Sequence, residues 1–142
     1  METDMQSTPD PHRDHPTDGQ VAGAISTAVV HAVGEYTGRG PTKARTYVNR
    51  DVITVLLRDT LTKAERRLVS DGNAPTVVHT RAIFQQMMRE ELVASVEDLT
   101  GRTVVAFMSA NHIDPDVGVE TFVLEPEPEP EQTSGPELTP MP

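Results

Sequence analysis

Between Gly19 and Gly38 the chain carries one charged residue, Glu35. No other stretch restricts the fold as strongly. Val21, Ile25, Ala28, Val29, Ala32 and Tyr36 recur at helical spacing and form one apolar face. The opposite side, Ala22, Ser26, Val30 and Val33, is also uncharged. A helix that is apolar all round must be covered on more than one side. The second cover is either the rest of the domain or another molecule, and the reading favours a homodimer through the 21–37 helix. His31, alone on this helix, reads as a packed or capping residue.

Gly38, Gly40 and Pro41 stop that helix. Lys43 to Val48 and Val52 to Arg58 then read as two strands joined by a turn at Asn49, Arg50 and Asp51. The second strand is the more apolar and the more central of the two. Thr62 and Glu65 have the spacing of a capping box, which starts a helix ending near Asp71-Gly72. Glu65 is thereby a helix-start residue in preference to a catalytic base. A longer helix runs from about Thr76 to Leu99, with Phe84, Met88, Leu92, Val96 and Leu99 as its stripe and Gly101 as its stop. Met87 and Met88 fit core filling rather than a soft-metal site. Arg102 to Asn111 and Val117 to Leu124 form a second hairpin. The expected fold is α+β in the order α-β-β-α-α-β-β, a four-stranded antiparallel sheet with helices on one face.

Composition divides the chain of 142 residues further. Residues 1–18 and 125–142 are rich in proline and acid and have no apolar periodicity, so both are expected to be disordered tails. The Glu-Pro repeat from Glu125 should be extended. One domain is left over residues 19–124. Most of the net charge of −10 lies in the tails. Inside the domain, residues 39–67 hold eight Lys or Arg and three acids, whereas residues 68–124 hold three Arg and eight acids. The bland reading is a pair of solvated faces; the sharper one is an anion or acidic partner on the basic part. Cysteine is absent, which removes disulfide and thiolate chemistry. The acidic start is unlike a secretory signal, and no apolar run is long enough to span a membrane. A cytoplasmic protein is expected. An acidic chain with five aromatic residues is a poor fit to nucleic acid.

Sites are few. Arg81 stands early in its helix, where a cation opposes the dipole, so it should be doing tertiary work: pairing with an acid or holding an anion. With Arg39, Lys43 and Arg45 it makes a candidate anion site. The Gly38–Pro41 loop follows a helix C-terminus, where free carbonyls point outward, so it is a cap and not a phosphate cradle. His112, Asp114, Asp116 and Glu120 fit no metal-ligand spacing, and Asp-Pro-Asp is turn chemistry. No catalytic constellation, metal site or cofactor is expected.

Several elements in this order are similar to one family. They are Gly38-Arg39-Gly40-Pro41, the strand Val52 to Leu57, the Leu61-Thr62-Lys63-Ala64-Glu65-Arg66-Arg67-Leu68 helix start, Arg81, Glu97 four residues before Gly101, and Val104. Over about residues 20–124 the chain resembles the bacterial MpsC family, named from a sodium-translocating, membrane-potential-generating system. The resemblance implies association with membrane partners that move ions or inorganic carbon, and it brings no catalytic residue. It points to a non-catalytic accessory or regulatory subunit. The alternative is a small-anion or nucleotide sensor using Arg39, Lys43, Arg45 and Arg81; an enzyme comes third.

Overall fold

The computed structural model describes residues 17–127. The elements are α1 (Asp18–Thr37), β1 (Lys43–Asn49), β2 (Val52–Arg58), α2 (Lys63–Ser70), α3 (Ala74–Thr100), β3 (Val104–His112) and β4 (Val117–Leu124). This is the expected α+β order. The tails expected over 1–18 and 125–142 lie largely outside the described residues. At their inner margins, however, α1 begins at Asp18, three residues before the apolar pattern does at Val21. The reason is a capping box. Thr17 accepts the Gln20 amide, and the Gln20 side chain accepts the Thr17 amide.

The sheet is antiparallel throughout, in the order β1-β2-β4-β3. Both hairpins are sequence-adjacent pairs, and β4 inserts between β2 and β3. Register aligns side chains in rows across the strands. Val48, Ile53, Phe122 and Phe107 form one inward row; Thr46, Val55, Glu120 and Ser109 form the next. The rows between them face outward: Tyr47, Thr54, Thr121 and Met108, then Arg45, Leu56, Val119 and Ala110. In β3 a register shift between Val104 and Ala106 leaves Val105 as an extra, exposed residue. Phe107 is brought inward by this shift and packs against Phe122, with ring centroids 5.1 Å apart.

The described helices cover only the inward face. α1 lies on β1 and against α3, α3 lies on β3, and α2 touches α3. Ile25, Val29, Ala32 and Val33 of α1 and Met88, Leu92 and Val96 of α3 are buried against Ile53, Val55, Leu57, Phe122 and Leu124. This placement explains the uncharged α1. One side meets the sheet and the other meets α3, and no bulky apolar side chain of α1 is exposed. The apolar surplus that suggested a second copy against α1 is therefore covered within one protomer. Gly40 makes this possible at the exit of α1. A β-carbon there would sit 3.1 Å from both Cγ1 and the carbonyl oxygen of Val30.

The buried stripe of α3 also differs from the expected one. It runs through Val77, Arg81, Gln85, Met88, Leu92 and Val96, with Phe84 at its margin. Two polar residues thus occupy core-facing positions.

Candidate functional site

The β2–α2 connection, residues 59–62, is ringed by three ion pairs: Arg39–Asp59, Arg66–Asp59 and Arg81–Glu65. Asp59 holds a left-handed backbone conformation at φ 57°. Asp tolerates this region better than most residues, yet it still needs support from its surroundings. Arg39 supplies part of that support. Its Nη1 donates to the carbonyls of Asp59 (3.2 Å) and Leu61 (2.7 Å), and its Nη2 to Asp59 Oδ2 (2.7 Å). Thr42 donates to the same carboxylate at 3.0 Å, and Arg66 pairs with its other oxygen. The hydrogen bond from Arg39, then that from Thr42, hold the Asp59 carboxyl below the usual carboxylate range, against a smaller opposing effect of burial.

From the other hairpin, Asp116 accepts the Thr60 hydroxyl at 2.8 Å and the Leu61 amide at 3.0 Å. The Asp59 amide donates to the Asp116 carbonyl. Beneath them lies the Arg81–Glu65 pair. Arg81 Nε and Nη2 donate to Glu65 at 2.6 and 2.5 Å, and Nη2 also donates to the Thr60 carbonyl at 2.5 Å. The fork geometry suits a guanidinium facing a carboxylate. Burial pushes the Glu65 carboxyl up, but Arg81 and Thr62 outweigh it, and the group sits below its ordinary value. Glu65 also completes the capping box of α2 with Thr62. One carboxylate therefore starts α2 and neutralises α3's buried cation.

Of the four cations expected around one anion, Arg39 and Arg81 converge on this connection. There they are already paired with carboxylates and carbonyls. Lys43 and Arg45 lie on the outward face of β1. With Ala44, Tyr47, Leu56 and Arg58 they line an open depression of about 340 Å³. Arg45 places its guanidinium 5.7 Å from the centre of the Tyr47 ring. The residue absent from the expected anion site is Arg58, which β-pairing sets directly opposite Lys43.

Sequence reasoning missed a second polar feature. Glu120 is 2% exposed on the inward face, beside Ser109 on β3 and under Gln85 of α3. Among the described residues its Oε2 and the Ser109 hydroxyl have no hydrogen-bond partner of good geometry. Burial raises the carboxyl to about 7, with Ser109 and Gln85 opposing the shift. Its alternation with Phe122 and Leu124 was the available signal, since those two mark the inward phase of β4.

Among the described residues no group of three or more His, Asp or Glu could hold a metal ion. His112 turns its Nδ1 to the Pro115 carbonyl at 2.8 Å, and Asp116 is engaged with Thr60 and Leu61. The charged junction acts as a clamp: its carboxylates are neutralised by guanidiniums and amides, and it ties the two hairpins to α2 and α3. No described helix is long and apolar enough to cross a membrane.

The residues that carried the family resemblance meet at this clamp. Arg39 comes from the Gly38–Pro41 turn, Thr62 and Glu65 from the α2 start, and Arg81 from α3. Glu97 forms a separate link by accepting the Val104 amide at 3.0 Å. No curated protein and no solved structure matches the chain. A family model described as "Na+-translocating membrane potential-generating system (MpsC)" matches residues 17–126. The chain belongs to the MpsC family.

Proposed function

We propose that this protein is a non-catalytic accessory or regulatory subunit of a membrane system that moves ions or inorganic carbon, held on the cytoplasmic side through protein contacts. One observation carries the reading. The family is tied to a sodium-translocating system over nearly all the described residues, while those residues fold as an open four-stranded sheet with helices on one face. A translocation path needs membrane-spanning helices or a closed barrel. The reading therefore puts this chain beside the subunits that supply one. The saturated charges of the clamp fit a role in holding shape rather than in turning over a substrate.

The test is affinity purification of the tagged full chain from detergent-solubilised membranes of the organism that encodes it. The reading expects co-elution of a polytopic ion-transport protein. Recovery of the chain without any membrane protein, at protein levels where the tag is fully captured, would contradict it.

The second reading is a small-anion sensor. It is favoured by the outer depression, where Lys43, Arg45 and Arg58 stand together with no acid in the lining. Thermal shift with phosphate, bicarbonate or a nucleotide tests it. Ligand at 100 times its Kd adds about 2.7 kcal/mol. Arg45→Ala should remove that gain, and a flat screen argues against the sensor.

A further inference from the structure

No described helix lies over the outward face of the sheet, and the arrangement of its side chains selects one kind of cover. Its two bulkiest exposed apolar residues, Tyr47 (49% exposed) and Met108 (54%), stand on opposite edge strands but in the same cross-strand row. Leu56 and Val119 occupy the middle of the neighbouring row. Charge is asymmetric along one end of this face. Lys43, Arg45 and Arg58 make a basic corner at β1, while the exposed Asp114 lies in the β3–β4 turn at the opposite corner of the same end. The shared end follows from register, because Lys43 pairs with Arg58, Arg58 with Val117 and Val117 with His112.

We propose that a second copy of this chain covers the face, the two sheets stacking about a twofold axis parallel to the strands. That operation lays β1 over the partner's β3 and β2 over its β4. Tyr47 of each copy then meets Met108 of the other, and Leu56 meets Val119. The basic corner of each comes over the Asp114 corner of the other. The strands stay nearly aligned, as packed sheets require. A twofold axis across the strands would instead put β1 over β1 and bring the basic corner over the β1–β2 turn, where Arg50 is a further cation and Asp51 is already paired with Arg102. Four strands about 4.8 Å apart and seven residues long give a footprint of roughly 440 Å² per copy. Side-chain relief brings the total buried by two copies toward the lower limit of stable interfaces, about 1,200 Å². The pairing is therefore expected in the micromolar range.

Sedimentation velocity of the full chain from 1 to 200 µM tests this. A concentration-dependent shift to twice the chain mass is expected, and Val119→Glu should abolish it while leaving the far-ultraviolet circular dichroism unchanged. Arg45→Glu and Asp114→Arg should each weaken association at least tenfold, and the two together should restore it. Because the chain has no cysteine, Tyr47→Cys with Met108→Cys provides an independent measurement. A bis-maleimide reagent that spans the roughly 10 Å between stacked sheets should give a covalent dimer, which either single variant should not form efficiently. A single chain at 200 µM would overturn the proposal. So would a dimer indifferent to Val119→Glu, or a monomer that uses this face only to bind anionic phospholipid vesicles.

Discussion

Glu120 should make this protein less stable as pH rises through neutrality, and Glu120→Gln should remove that dependence. The carboxyl is 2% exposed on the inward sheet face. Val55 of β2 and Ser109 of β3 flank it in register, and Gln85 of α3 stands above it. None of these carries charge, and Arg81, one turn from Gln85, is committed to Glu65. Burial raises the group from 4.5 to about 7 in the folded state. Below about 4.5 both folded and unfolded chains hold the proton, and the group contributes nothing. Between 4.5 and 7 the folded chain keeps a proton that the unfolded chain has released, so stability falls with pH. Above 7 the full penalty applies. A shift of this size corresponds to something on the order of 3 kcal/mol. In a domain of this length that is about 10 °C in Tm. Urea unfolding of both proteins at pH 5, 6, 7 and 8.5 is the assay. Wild type should lose stability across the series, and Glu120→Gln should stay level and be the more stable at pH 8.5. Asp59 and Glu65, held low, act in the opposite direction, losing stability only as pH falls below the ordinary carboxylate range. Parallel profiles for the two proteins would refute the reasoning.

Arg81→Ala leaves Glu65 buried without its partner and should cost about 3–5 kcal/mol by denaturant titration; adding Glu65→Gln should recover part of the loss. Gly40→Ala forces a β-carbon against Val30 and should cost about 1–3 kcal/mol, read in the same assay. Thr17→Ala removes the α1 capping box and should cost about 1 kcal/mol, with faster amide hydrogen exchange in the first turn of α1.

Local chemistry was legible in the sequence. The Lys43–Arg58 hairpin, the Thr62–Glu65 box and the glycine stops at Gly38 and Gly101 each depend on residues a few positions apart. Arg81 also announced itself, since a cation placed against the helix dipole implied a tertiary partner, and Glu65 is that partner. What escaped the reading depends on distant pairing. The extra residue at Val105 is defined only by register with β4. Asp59 takes its conformation from Arg39 and Thr42 in the α1–β1 connection, Arg66 in α2 and Asp116 in the β3–β4 turn. The four expected anion-site cations divide because the strand phase turns Lys43 and Arg45 outward while Arg39 reaches back to the clamp. An apolar pattern on α1 shows how many sides must be covered and is silent on what covers them; α3 and β1 supply the answer.

The role proposed for this chain is that of an accessory to a sodium-translocating membrane system, without forming the ion path. Its most direct test is the membrane potential of cells deleted for the chain, measured with a voltage-sensitive dye in the presence and absence of sodium. The account predicts that the sodium-dependent component falls on deletion and returns with the wild-type chain supplied in trans. A sodium-dependent potential that is unchanged by deletion would contradict it.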